Sequence, residues 1–193
     1  MVVISMTPLQ AAEQRPNVTN DNVASATLAL AGLFTDHMVL QRDRPVAVWG
    51  TTKPMDQVTV EFAGQSRKVL AGADGRWNVT LAPLSASHEP RELCIRTETS
   101  GNEIIVRDVL VGDVWLAGGQ SNMGSKMKEY LPTVAAEIPQ ANYPLFRVFT
   151  LPQRKVLSES MPLAAWRAVT PDTVADVSAT AYFFGRDLQR HLE

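Results

Sequence analysis

Cysteine is nearly missing from this chain: its 193 residues include one, Cys94. A lone cysteine closes no internal disulfide, so a fold held by a disulfide framework is excluded. Histidine is scarce as well. His37, His88 and His191 lie far apart and keep no ligand spacing, so the pattern offers no metal site. No apolar run reaches the ~18 residues that a membrane-spanning helix needs. An excess of one charge is missing too: 18 Lys and Arg face 20 Asp and Glu, a formal net charge of −2. Nothing electrostatic therefore points to nucleic acid or to an anionic membrane as partner. The short apolar start lacks a basic n-region and is broken by Ser5 and Pro8, which makes a poor signal peptide. Residues 1–25 read as a disordered lead or a signal remnant.

What is present is ordinary globular material, with 45% apolar residues and 20% charged ones. Residues 26–107 carry a β pattern. Val58, Val60 and Phe62 alternate onto one face, and so do Trp77, Val79 and Leu81. Gly64-Gln65, Asp74-Gly75 and Ser100-Gly101-Asn102 supply turns between short runs. Closely spaced strands with such turns predict a β-sandwich domain. Cys94, inside a strand pattern, reads as a small buried hydrophobe.

The pattern changes at residue 108. Val109–Ala117 is a nearly unbroken apolar run, as expected of a strand buried on both faces of a parallel sheet. Helical pattern follows from about Lys126 to Ile138, then a strand at Phe146–Leu151. A closing helix spans Ser178–Leu192, with Ala181, Phe184, Leu188 and Leu192 at helical spacing. Strand, helix, strand, helix is the opening of an α/β domain, assigned to residues 108–193.

Directly after the apolar run stands Gly118-Gly119-Gln120-Ser121-Asn122-Met123. A serine hydroxyl is a weak nucleophile that must be exposed, oriented and activated. The C-terminal end of a parallel strand meets the first two needs. Turn N–H groups there can hold an oxyanion. The segment is not the G-x-S-x-G elbow, because Met123 occupies the second glycine's place. On spacing alone, a helix N-cap at Ser121 or Asn122 is the stronger reading. A phosphate loop is disfavoured, since the Lys-Ser/Thr of a P-loop is missing.

The stretch from Val109 to Met123 resembles the nucleophile block of the sialate O-acetylesterase family, which are SGNH-type serine esterases. Two further blocks agree in order. Leu33–Arg42, continuing through Pro45 to Trp49-Gly50, resembles the family's opening β segment. Ser178–Leu188 resembles the helix after its first strand region. Gly124 departs from the acidic residue that the family often carries there. The resemblance implies a β-sandwich domain followed by the first part of an SGNH-type α/β hydrolase domain. It implies that Ser121 is the nucleophile and that its backbone N–H is part of the oxyanion hole. Gln120 and Asn122 are then candidate substrate contacts. It also implies release of acetate from an O-acetylated sugar or glycan, with no metal or organic cofactor, and favours a periplasmic or secreted setting.

The family's later oxyanion blocks and its late Asp and His have no counterpart in this sequence. The roughly 80 residues after Leu110 hold only two or three strand–helix units at ~30 residues each. The expectation is an incomplete enzyme, inactive alone, that associates with a C-terminal companion chain or with itself. The competing reading is a non-catalytic carbohydrate-binding or packing β-sandwich with a remnant α/β segment. His37, in the β block, is expected to be structural. His88 is expected to be solvated, and His191 to serve the C-terminus of the last helix. Asp36 and Asp113 read as turn and strand-edge acceptors. Of Trp49, Trp77, Trp115 and Trp166, the strand-like ones are expected in the core.

Overall fold

The computed structural model describes residues 2–6, 27–151 and 164–192. In chain order the strands are β1 (Val2–Met6), β2 (Ala29–Leu30), β3 (Val39–Gln41), β4 (Val46–Thr51), β5 (Gln57–Phe62), β6 (Gln65–Leu70), β7 (Arg76–Leu81), β8 (Ser87–Thr97), β9 (Glu103–Gly112), β10 (Val114–Gly118), β11 (Tyr143–Thr150) and β12 (Arg167–Val169). Helix α1 is one turn, Ser121–Gly124, and α2 runs Ala179–Leu192. The protein is mostly β.

The first two sheets are β2-β4-β7 and β3-β9-β8-β5-β6. Alternation puts Val46 and Val48 of β4, and Trp77, Val79 and Leu81 of β7, on the buried side of the three-stranded sheet. Val58, Val60 and Phe62 do the same in the five-stranded sheet. Both sets belong to one hydrophobic cluster, so the two sheets share a core. Turn chemistry fixes the hairpins. Ala63 and Gly64 both take positive φ between β5 and β6. Gly75, at φ 77°, ends the turn before β7. Asp56 holds the β8–β9 connection: its carboxylate accepts from the N–H of Thr99 and Ser100 and from the Ser100 hydroxyl. Burial opposes ionisation of Asp56, but these donors outweigh it and its pKa is lowered.

The third sheet has the order β10-β1-β11-β12, with β1 parallel to both neighbours and β12 antiparallel to β11. Four expectations change here. First, the apolar run at Val109–Ala117 is not one strand. β9 continues past residue 108 to Gly112 within the five-stranded sheet, and the chain changes sheets at Asp113. Arg42 Nε donates to Asp113 at 2.9 Å, and Gln41 Oε1 accepts from the Val114 N–H at 2.9 Å, so β3 pins the crossing point. Only the β9 half is buried on both faces, through Val109, Leu110 and Val111. Second, Val2–Met6, expected to be unstructured, is a strand between β10 and β11. Pairing on both edges satisfies its backbone groups, which a short strand cannot do alone. Residues 7–26 of the expected lead lie outside the described residues.

Third, the helix expected over Lys126–Ile138 is a run of turns with 3-10 segments at Met127–Tyr130 and Ile138–Gln140. Pro132 falls within that stretch and Pro139 directly follows it, and both oppose a longer helix. Fourth, α2 forms as expected, but its buried face is displaced. Ala181, Tyr182, Gly185 and Gln189 face inward, while Phe184 and Leu192 are exposed. Tyr182 OH donates to Glu137 at 2.6 Å, and Arg186 pairs with the same carboxylate at 2.9 Å. A second hydrophobic cluster joins α2 to Phe146 and Val148 of β11 and to Val169, Val174 and Val177. Phe149 and Trp166 instead join the first cluster, and Trp166 Nε1 donates to the Leu33 carbonyl at 2.8 Å. The expected 107/108 boundary is thus crossed by a strand and by shared core.

Candidate functional site

Strand β10 ends at Gly118, and α1 starts three residues later at Ser121. Gly119 lets the chain fold tightly: a Cβ there would meet Met123 Cβ at 3.0 Å. The Gln120 carbonyl accepts from the N–H groups of both Met123 and Gly124, each at 3.0 Å, which closes the turn. Gln120 is thus the N-cap residue, without a side-chain cap bond, and the N-cap expected at Ser121 or Asn122 is shifted by one or two positions. Ser121 is the first helical residue and is exposed, as are Gln120 and Asn122. Among the described residues nothing bonds Ser121 Oγ, and the N–H groups of Ser121 and Asn122 have no acceptor. The first N–H groups of a helix have no intrahelical partner, so they remain available to an anion.

The turn is strapped down from one side by the start of α2. Thr180 Oγ1 donates to the Asn122 carbonyl at 3.0 Å. The Ala179 N–H donates to the Ser125 carbonyl at 2.9 Å, and Met127 N–H to Val177 at 2.9 Å. Lys126 and Lys128 both reach Asp176, at 3.3 and 2.7 Å. The Lys128 bond, then that from Lys126, lowers the Asp176 pKa, so this carboxylate is engaged as an ion-pair partner.

None of the three histidines bonds to Ser121. His37 Nδ1 lies 2.6 Å from Asp108 Oδ2. His191 Nδ1 lies 2.6 Å from the Asp187 carbonyl. His88 is exposed on β8, not in a loop as the polar run around it suggests. Asp36 accepts from the Arg107 N–H at 2.7 Å and Asp113 from Arg42, both structural roles. Among the described residues no group of three His, Cys, Asp or Glu gathers to hold a metal. Cys94 is half-buried, and burial raises its thiol pKa.

A charged junction escaped the sequence. Arg147 of β11, nearly fully buried, sends NH1 and NH2 to the Asp108 carboxylate at 2.8 and 3.2 Å, and Nε to the Pro144 carbonyl at 2.6 Å. Its NH1 also reaches the His37 carbonyl at 3.2 Å. Both His37 and Asp108 sit at positive φ, 67° and 55°. Burial works against the Asp108 carboxylate, but the bonds from Arg147 and His37 outweigh it and lower its pKa. This junction ties β9 to β11. Sequence separations of 39 and 71 residues left it no local signal.

Two of the four tryptophans depart from the core expectation. Trp77 and Trp166 are buried, but Trp49 and Trp115 are 41% and 45% exposed. Trp115 lies on β10, an edge of its sheet among the described strands, and packs edge-on against Phe184 at 5.5 Å.

No family model matches the chain. The rat protein named sialate O-acetylesterase is 29% identical over 180 residues, covering 84% of this chain and 33% of the rat protein. The human protein of that name is 29% identical over 191 residues, covering 90% of this chain and 36% of its own length. A solved structure from Xanthomonas citri, described as a carbohydrate acetylesterase, superposes with a TM-score of 0.79 at 35% identity. The match covers 86% of this chain and 38% of that one. In sequence the chain is thus similar to sialate O-acetylesterases, and in fold to a carbohydrate acetylesterase. It spans about a third of the length of these relatives. The segment from Val109 to Met123 ends in Ser121–Met123 of α1, three residues beyond the end of β10.

Proposed function

We propose that this chain carries the nucleophile-bearing part of a serine carbohydrate O-acetylesterase acting on O-acetylated sugars, sialic acid among them. The observation that carries the reading is Ser121 itself: exposed, on a tight strand-to-helix turn, with Oγ and N–H both uncommitted, inside the family's motif. β1 together with the residues from β10 onward then forms the first part of an SGNH-type α/β domain, and the two other sheets form its β-sandwich companion.

In this reading Ser121 Oγ attacks the acetyl carbonyl carbon. A histidine takes the hydroxyl proton, and an aspartate orients that histidine. The carbonyl oxygen becomes an oxyanion, which the Ser121 N–H stabilises. Collapse expels the sugar hydroxyl with its proton returned, leaving acetyl-Ser121. Water, deprotonated by the same histidine, then releases acetate and restores the serine. Gln120 and Asn122 flank the reacting carbon. Because none of the described histidines bonds to Ser121, the base comes from polypeptide beyond these residues, either continuing sequence or a companion chain. The second reading is a non-catalytic module, favoured by that same missing base.

A hybrid decides between them. This chain is joined to the two thirds of the Xanthomonas citri acetylesterase that it does not match. The hybrid should release acetate from O-acetylated sialic acid or xylan, and Ser121→Ala should abolish it. A folded hybrid that turns over equally well with Ala at 121 removes the assignment.

A further inference from the structure

We propose that the outer face of the β2–β4–β7 sheet, centred on Trp49, is a saccharide-binding site separate from Ser121; this rests on the carbohydrate reading above and deepens it. Cross-strand register pairs Ala47 with Thr80, Trp49 with Asn78, and Thr51 with Arg76. These residues alternate with the core-facing ones, so all six project from the outer face. Trp115 is exposed at what is, among the described strands, a sheet edge, which an added strand would cover. Trp49 is different: β4 is paired on both sides, by β2 and β7, and the indole is still 41% exposed. Phe34, itself buried, meets it edge-on with ring centroids 4.8 Å apart, which holds the indole in place.

The indole borders a hollow of about 530 Å³ lined also by residues 29–31, by Gly50 and Thr51, and by Arg76, Trp77 and Asn78. That volume lies within the ~300–1,000 Å³ typical of small-ligand sites. Gly50 shapes it. A Cβ there would overlap the Ala29 carbonyl and stand 2.8 Å from the Trp77 ring, so β2 approaches only because residue 50 is glycine. A pyranose has an apolar C–H face and a rim of hydroxyls. The indole offers an apolar, electron-rich plate for the first. The Asn78 amide and the Thr51 hydroxyl each donate and accept, which suits the second. Arg76 also lines the hollow, and its guanidinium lies 3.6 Å from the Asp74 carboxylate, so the two charges offset each other. The site therefore fits a neutral oligosaccharide rather than a phosphate or another anion.

Titration of the full chain with xylohexaose, cellohexaose and chitohexaose tests this, following indole Nε1–H signals by NMR and affinity by calorimetry. Trp49→Phe identifies the Trp49 signal. At least one hexaose should shift that signal saturably, leaving Trp166, which does not line the hollow, unmoved. Trp49→Ala should weaken binding about tenfold. Asn78→Ala, which leaves the Phe34–Trp49 contact intact, should weaken it by about threefold or more. No saturable Trp49 shift with any of the three hexaoses overturns the proposal. So does unchanged affinity in a folded Trp49→Ala protein. The titration reads no turnover: if the acetylesterase reading fails, binding at Trp49 still registers, and if binding fails, acetate release by Ser121 is untouched.

Discussion

Gly185 packs α2 directly against Phe146 of β11, and a single methyl there tests how the site's supporting helix is seated. A Cβ at Gly185 would fall within 2.8 Å of three atoms of the Phe146 ring. Carbon atoms pack best at about 3.5–4.0 Å, so ring or helix must move by about 1 Å. Phe146 has nowhere easy to go: it is fully buried and stacks on Tyr182 at 6.5 Å. Overpacking of this kind costs about 1–3 kcal/mol, while Gly→Ala in a helix returns up to about 1 kcal/mol. Gly185→Ala should therefore lose about 1–2 kcal/mol net in urea denaturation. Phe146→Leu shrinks the ring and should relieve the clash. The double variant should then be more stable than the sum of the single losses predicts, by about 1 kcal/mol or more. A more stable Gly185→Ala protein, or strict additivity, would refute this account of how α2 is seated.

Three other outcomes follow from the structure. Asp108→Asn keeps a side chain that tolerates positive φ but leaves the buried Arg147 without its counter-charge, so stability at pH 7 should fall by about 1–3 kcal/mol. Because the folded pKa of Asp108 is lowered, its contribution is complete above the ~3.9 of an unfolded aspartate and is lost as pH falls through the lower folded value; equal acid profiles for both proteins in urea titrations would rule this out. The β10 edge, free among the described strands and with Leu116 66% exposed, should drive self-association, and Leu116→Lys should raise the monomer fraction in light scattering; a monodisperse wild-type monomer would contradict it. The chain by itself should turn over p-nitrophenyl acetate negligibly, since losing the base of a serine hydrolase costs on the order of 10⁶ in kcat; Ser121-dependent turnover would mean that a described histidine serves, with His37 the first to substitute.

The alternating strands β5 and β7 were legible because their signal is local. Period-two alternation at Val58–Phe62 and Trp77–Leu81 survives whichever strand lies alongside. The turn before Arg76 was readable for the same reason, since Gly75 alone carries its positive φ. The run at Val109–Ala117 was misread because continuous apolar character reports burial and not sheet membership. The stripe on α2 was misplaced because Phe184 and Leu192 match the helical period but face away from β11.

Readable from residue order alone were the block around Ser121 that resembles the family, much of the strand pattern of the first half and the last helix. Each is written in neighbouring residues, through side-chain period, turn chemistry or a motif. Only the tertiary structure decided the rest. It placed Val2–Met6 between β10 and β11, set Arg147 against Asp108 and His37, and left Trp49 outside while Trp77 went in. Those outcomes depend on which distant segments meet, and on which face of a helix or strand gains more by being covered. Pairing and burial are energies of contact between remote residues, so no window of neighbouring residues contains them.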